Sequence, residues 1–270
     1  STLMRNFDST RLVTEPTRPT PSRRILRQAA YDFRLTMANG EQLLLTILIP
    51  IGILFGLVFA TGIPVTAGIE DTTAFQRIDF VLPGVLTVAV LSSAFASLAI
   101  ATGFDRRSGA LLLLATTPLS RVDLVLARAL STLVIVLAQT MVLCLISLTL
   151  GWRPNGMALA SLAYLVVGAI SLAACAVTVA GLLRAEATLA IANGLFLILL
   201  VAGGTALPAA SLPDVLAWIA RFLPSGALGE GLRTSMLEGA LNTSAWIPLV
   251  VLLAWGLFAA LIARRTFRWD

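Results

Sequence analysis

The chain has 270 residues, of which 58% are apolar and only 12% are charged, with a formal net charge of +5. Ordinary globular chains hold roughly 25% charged residues, so this composition indicates an integral membrane protein. All 19 basic residues are Arg, and His is absent. Without Lys there is no Walker-type phosphate loop and no Schiff base, and without His there is no Ser–His hydrolase set and no His-ligated metal. We therefore expect no catalytic residue and no metal site in this chain.

Six stretches between charged residues are long enough to cross a membrane. A bilayer core about 30 Å thick needs roughly 20 mostly apolar helical residues. Stretches of that kind predict spans at about 43–61, 81–103, 129–151, 157–183, 187–207 and 245–263. The expected fold is an all-α integral membrane protein with a single transmembrane domain over 22–270.

The distribution of Arg predicts the orientation of the spans. Basic residues close to membrane spans stay preferentially on the cytoplasmic side. With both termini in the cytoplasm, 15 of the 19 arginines lie inside, and the four outside are Arg77, Arg153, Arg221 and Arg233. The opposite orientation reverses this bias. We therefore predict a multi-pass membrane protein with both ends in the cytoplasm.

The first 38 residues divide into a polar tail and a basic amphipathic helix. Residues 1–21 are rich in Pro, Thr and Arg, which is typical of a disordered cytoplasmic tail. After Ser22, a possible N-cap, an apolar stripe recurs at helical spacing at Leu26, Ala30, Phe33 and Met37. The basic residues that lie mostly off this stripe are Arg23, Arg24, Arg27 and Arg34. We predict an elbow helix over 22–38 in the headgroup layer, and the alternative is a helix packed on a soluble partner.

The loop 104–128 is the longest cytoplasmic connection. It holds a charged turn, four leucines and a proline stop, formed by Asp105, Arg106, Arg107, Gly109, Leu111, Leu112, Leu113, Leu114 and Pro118. Ser120 and Asp123 form a capping box for the helix that follows. The pattern predicts a short helix at the membrane surface. So many leucines on a loop favour a protein partner, and the alternative is that they rest on the bilayer.

A pair of short helices is predicted on the outer side, over 211–238. Ser211 and Asp214 form a second capping box, and Pro224 interrupts the helical pattern that follows. Trp218 suits the depth of the membrane interface. The segment therefore predicts an outer helical hairpin before the last span.

The predicted spans carry hydroxyls and amides rather than charges. Ion-driven carriers usually keep a carboxylate or His at membrane depth, so this composition argues against ion coupling. Gly52 and Gly56 form a GxxxG pattern in the first span, which predicts close helix packing. The candidates for lining a translocation path or for helix packing are Gly52, Phe55, Gly56, Ser93, Ser97 and Asn193.

The order of these parts resembles the permease subunits of type-2 ABC exporters, the class that includes the daunorubicin-resistance-like drug and lipid exporters of actinobacteria. The likeness covers nearly the whole chain. It comprises the basic elbow, six spans, Leu82-Pro83-Gly84 at the start of span two, the stretch 105–109 followed by leucines, and Leu223-Pro224 in the outer helices.

The resemblance implies that the loop after span two carries a coupling helix that docks on a separate ATP-binding cassette ATPase. ATP and Mg would bind to that partner and not to this chain, which would be no enzyme itself. A second permease, either a copy or a homologue, would complete the transporter in the lipid bilayer, with no nucleic acid involved. The implied function is export of lipophilic or amphipathic small molecules or lipids. An ion-coupled secondary transporter and a membrane-embedded enzyme stay open as alternatives.

Overall fold

The computed structural model describes residues 20–60, 74–117, 119–154, 157–203, 214–238 and 245–266. Every regular element in these ranges is helical. The α-helices are α1 (Pro21–Ala38), α2 (Gly40–Phe59), α3 (Ala74–Val90), α4 (Leu98–Arg107), α5 (Ala110–Ala115), α6 (Arg121–Thr149), α7 (Ala158–Leu182), α8 (Ala185–Ala202), α9 (Asp214–Phe222), α10 (Pro224–Arg233) and α11 (Trp246–Thr266). The π-helical segment Leu91–Ser97 joins α3 to α4, and a second one, Thr234–Glu238, extends α10. The predicted all-α fold is confirmed.

Within the described residues, four helical stretches are long and apolar enough to cross a membrane. They are Arg77–Arg107, Arg121–Thr149, Ala160–Leu182 and Trp246–Thr266. Two further helices carry shorter apolar stretches, Thr46–Phe59 in α2 and Glu186–Ala202 in α8. The chain is thus a multi-pass helical membrane protein, and the membrane crossings of α2 and α8 remain predictions.

Helix α7 lies at the centre of the bundle, packed against α4, α6, α10 and α11. Its contact with α11 is close, because a Cβ added at Gly256 would lie 2.8 Å from the hydroxyl of Ser171. Ser171 Oγ donates a hydrogen bond to the carbonyl of Leu252 at 2.7 Å. Thr178 Oγ1 donates to the carbonyl of Ala259 at 2.9 Å. Small residues and hydroxyls that reach the neighbouring backbone are the usual means by which helices pack in membranes.

Helix α3 begins earlier than the predicted span at residue 81. It starts at Ala74 and includes Arg77, which is only 7% exposed. The Arg77 guanidinium donates to the carbonyls of Leu57 and Ala60 at 3.0 and 2.8 Å, at the carboxyl end of α2. Cations stabilise the carbonyl end of a helix. A charged residue therefore lies inside the bundle, although the apolar pattern predicted that the span begins only after it.

Two other helix starts also differ from the sequence-based boundaries. Helix α1 begins at Pro21 after Thr20, one residue before the predicted cap Ser22, because proline is favoured in the first helical turn. Helix α6 begins at Arg121 with the predicted capping box, in which the backbone N–H of Asp123 donates to Ser120 Oγ at 3.0 Å. Arg128 therefore lies in the third turn of a helix and not at the end of a loop.

The pair of short helices before the last span is present as α9 and α10. Pro224 begins α10 after the extended residue Leu223, so the predicted break at this proline is confirmed. Trp218 is 63% exposed on α9, whereas α10 is mostly buried. The predicted cap Ser211 lies outside the described residues.

Candidate functional site

The leucines of the predicted coupling loop form the short helix α5, which is set on the end of α4. The turn between the two helices contains Gly109 with φ of 77°, a left-handed conformation that favours glycine. Leu111 is fully buried among residues of α6, α7 and α11, and Leu114 packs at the edge of that cluster. Leu112 and Leu113 are 51% and 72% exposed. Two leucines therefore anchor the helix, and two form an apolar surface on it.

Arg106 and Arg107 occupy different environments although they are adjacent. Arg106 Nη1 donates to the carbonyls of Leu183, Ala180 and Gly181 at 2.5, 3.3 and 3.4 Å, at the carboxyl end of α7. Arg107 is exposed. The sequence places both arginines in the predicted coupling loop. The structure directs Arg106 into the chain, since the last carbonyls of a helix attract a cation.

Asp105 forms an ion pair with Arg128. Arg128 Nη2 lies 2.6 Å from Asp105 Oδ2, and Arg128 Nη1 donates to Thr102 Oγ1 at 2.8 Å. Arg128 is 5% exposed. A buried guanidinium needs such partners, because an uncompensated charge in an apolar interior is costly. Together with Arg106, this pair connects the end of α4 to both α6 and α7.

A cleft of about 540 Å³ lies between α1, α4 and α6. We call it the α1 cleft. Its charged lining residues are Asp32, Asp105 and Arg128. The other lining residues are Leu35, Thr36, Ala38, Asn39, Leu98, Ala101, Phe104, Ser131 and Thr132. The cleft thus has one charged and hydroxyl-rich side and one apolar side.

Asp32 is a charged lining residue that the sequence patterns did not single out. Its Oδ1 accepts a hydrogen bond from Gln28 at 2.9 Å, while its buried Oδ2 has no partner among the described residues. Burial raises the pKa of Asp32 above its usual 3.8, and the positive charge of Arg128 acts in the opposite direction. In the sequence, this residue is an acid among the arginines of the elbow helix, four residues from both Gln28 and Thr36.

The face of α1 that packs on α6 differs from the predicted apolar stripe. The packed face contains Ala29, which is buried, with Gln28 and Asp32 beside it. Leu26 and Met37 of the predicted stripe are 58% and 38% exposed. Of the basic elbow residues, Arg23, Arg27 and Arg34 are exposed, while Arg24 and Phe33 are partly buried.

A narrow cleft of about 50 Å³ shares lining residues with the α1 cleft and leads to the π-helical segment. Ser93 and Ser97, both predicted path residues, line it. Ser93 Oγ donates to Gln139 Oε1 at 2.9 Å, and Gln139 Nε2 donates to the carbonyl of Thr46 at 2.8 Å. The structure therefore brings two of the six candidates into one cleft, and Ser93 belongs to a hydrogen-bonded group there.

The other four candidates lie elsewhere. Asn193 on α8 is exposed, as are Gly52, Phe55 and Gly56 on α2. A Cβ added at Gly52 or Gly56 meets nothing within 4 Å. The GxxxG pattern therefore packs against no described helix of this chain, and its predicted role in close helix packing stays a prediction. Pro118 lies outside the described residues.

The helical bundle and the four membrane-length stretches of its described part define a multi-pass helical membrane protein. The family model described as ABC-2 family transporter protein matches residues 66–265. The chain therefore belongs to the ABC-2 transporter family and is the permease component of an ABC transporter. No match was found among the curated proteins.

Proposed function

We propose that this permease is the membrane subunit of an ATP-driven exporter, and that α5 docks on a separate ABC ATPase. The observation that supports the proposal is that the four leucines of α5 lie in two different environments, one buried and one exposed. Leu111 is fully buried, while Leu112 and Leu113 stand exposed on the same six-residue helix. An exposed apolar pair on a helix fixed to the bundle is suited to the groove of a protein partner.

The contacts around α5 support a mechanical role for it. Arg106 holds the end of α4 to α7, and the pair of Asp105 with Arg128 holds it to α6. A displacement of α5 by the ATPase would therefore be shared by three long helices rather than absorbed in a loose loop. Such rigid movement of packed helices is a common form of coupling in switching proteins.

The finer topology also belongs to this proposal. Six spans, with α2 and α8 crossing the membrane, place both termini and α5 on the cytoplasmic side according to the Arg distribution. Helix α1 is the elbow, and its exposed Leu26 and Met37 face lipid. ATP and Mg bind the ATPase, because this chain lacks the Lys of a phosphate-binding loop.

The composition of the assembly and its cargo complete the proposal. The outward GxxxG face of α2 is available to a second permease, either a copy or a homologue. The bundle has a long apolar surface and few charges, which suits lipophilic or amphipathic cargo leaving a bacterial cell. The likeness to daunorubicin-resistance-like exporters supports that substrate class.

The decisive experiment tests docking on α5. We expect Leu112→Asp with Leu113→Asp to abolish co-purification of the partner ABC ATPase, because burying two carboxylates without partners costs several kcal/mol. The matched control, Leu112→Met with Leu113→Met, keeps the surface apolar and should retain the complex. ATP hydrolysis should appear only in preparations that contain the ATPase.

Co-purification of the ATPase at the wild-type level with the double Asp variant would refute docking through α5. Hydrolysis by the purified chain alone would refute the division of labour between the two subunits.

A further inference from the structure

We propose that the α1 cleft binds a protonated amine joined to an alkyl chain. Such a ligand is either the headgroup of an amino lipid or a single-chain amine, since both present an ammonium beside apolar methylenes. This binding site is separate from the α5 surface and does not depend on the proposed ATPase docking.

The charges that line the cleft favour a cation. Asp32 and Asp105 are acids and Arg128 is basic, so the described lining carries one net negative charge. The guanidinium of Arg128 is directed to Thr102 and to Asp105. The remaining carboxylate is that of Asp32, and an ammonium group would balance it. An anion would instead meet two carboxylates, and the one basic group of the described lining already forms an ion pair with Asp105.

Asp32 has the hydrogen-bonding capacity that an ammonium would use. Its Oδ2 is buried and accepts no hydrogen bond, although Oδ1 accepts one from Gln28. A buried carboxylate oxygen without a donor is costly, and an ammonium offers three N–H donors. A charge-assisted hydrogen bond of this kind contributes more than a neutral one.

The apolar side of the cleft accounts for the alkyl chain. Leu35, Leu98, Ala101 and Phe104 line it. Leu35 and Phe104 are 55% and 54% exposed, so they offer surface that a chain of methylenes would cover. The adjoining narrow cleft holds only about 50 Å³, which is too small for a headgroup and its chain. The ligand therefore lies with its ammonium at Asp32 and its chain along Leu35 and Phe104.

Protection of a cysteine in the cleft tests this proposal directly. The full chain carries Leu35→Cys in a Cys144→Ala, Cys175→Ala background and is purified in a non-ionic detergent. We expect dodecylammonium to slow modification of this cysteine by a charged maleimide, while dodecanoate and ethylammonium do not. The same ligands should leave a cysteine at the exposed position Leu113→Cys unprotected.

Variants locate the effect at Asp32. Asp32→Asn keeps the shape of the side chain and should raise the half-protecting concentration of dodecylammonium at least about tenfold. Glu186→Gln removes one exposed carboxylate away from the cleft and should not change it. Protection by phosphatidylethanolamine in mixed micelles would identify a lipid headgroup as the ligand. Protection by dodecylammonium without phosphatidylethanolamine would identify a single-chain amine.

Three outcomes would overturn the proposal. Equal protection by dodecanoate would show that charge does not select the ligand, and equal protection by ethylammonium would show that the apolar side is not used. Wild-type protection in the Asp32→Asn variant would show that this carboxylate does not bind the amine. The comparison of ligands on the Leu35→Cys chain does not require the Asp32 variant to fold.

Discussion

Arg106 and Arg107, at the end of α4, are adjacent in the sequence but lie in different surroundings. Arg106 reaches three carbonyls at the end of α7, and Arg107 reaches outward from the same helical turn. The backbone carbonyls at a helix end have no partner within their own helix. A guanidinium that satisfies them contributes to folding, whereas an exposed one contributes mainly to the surface charge.

This difference predicts unequal effects on stability. Arg106→Ala should lower the free energy of unfolding by about 1.5–3 kcal/mol, the usual range for hydrogen bonds that involve a charged group. Arg107→Ala should change it by less than about 0.5 kcal/mol. Thermal unfolding of the purified chain in detergent measures both. Equal losses in the two variants would contradict the capping role of Arg106.

The carboxylate of Asp32 predicts a dependence of stability on pH. Because its folded pKa is raised above 3.8, the folded state holds the proton more tightly than the unfolded state. Stability from this group is therefore present at low pH and is lost as pH rises through the folded pKa. Asp32→Asn should raise the unfolding midpoint at pH 7, and the difference should shrink toward pH 4. Glu186→Gln is the matched control, and an unchanged midpoint in Asp32→Asn at pH 7 would contradict this interpretation.

The short helices of this protein are stabilised by contacts with neighbouring helices. Helix α5 has six residues, too few for a stable isolated helix, so the burial of Leu111 and the contacts at the end of α4 must fix it. Helix α10 has ten residues and three glycines, and two of these, Gly229 and Gly231, face different neighbours. A Cβ at Gly231 would lie 2.3 Å from the ring of Tyr164, and one at Gly229 would lie 3.5 Å from Thr87.

Gly229 and Gly231 therefore give a matched pair of substitutions. Gly231→Ala should destabilise the fold by about 1–3 kcal/mol, because the overpacked ring of Tyr164 has no room to move. That ring is 2% exposed, and its hydroxyl donates to the carbonyl of Ala245 at 2.6 Å. Gly229→Ala makes an ordinary contact and gains helix propensity, so it should be neutral or stabilising. Thermal unfolding of the two variants should separate them clearly, and equal midpoints would argue against the close contact of α10 with α7.

At the scale of the whole molecule, the number of membrane crossings is the open structural prediction. Single cysteines in the Cys144→Ala, Cys175→Ala background report the side of the membrane with an impermeant reagent. Six spans place Ser108→Cys and Glu186→Cys on one side, and Arg153→Cys and Asp214→Cys on the other. If α8 does not cross, the positions 186 and 214 will label from the same side. Labelling of positions 108 and 153 from one side would contradict the crossing of α6.

Local patterns were sufficient for features that depend on neighbours in the sequence. The capping box of Ser120 and Asp123 and the helix break at Pro224 are confirmed because each depends on a few adjacent residues. The predicted site residues could be found only in part. Ser93 and Ser97 line one cleft as a group, but Asp32 was missed because its significance comes from α4 and α6, which are distant in the sequence.

The sequence by itself determined the class of this protein and its parts: a helical membrane protein without Lys or His, a basic first helix, and a leucine-rich helix after the second predicted span. Composition and hydrophobic runs suffice for these features because the bilayer imposes them on every residue of a span. Only the tertiary structure decided which charges are buried. Arg77, Arg106 and Arg128 have the same side chain as the exposed Arg107, and each is held inside by a carbonyl, hydroxyl or carboxylate that another helix supplies. Those partners lie 17 to 77 residues away along the chain, and no local pattern specifies them.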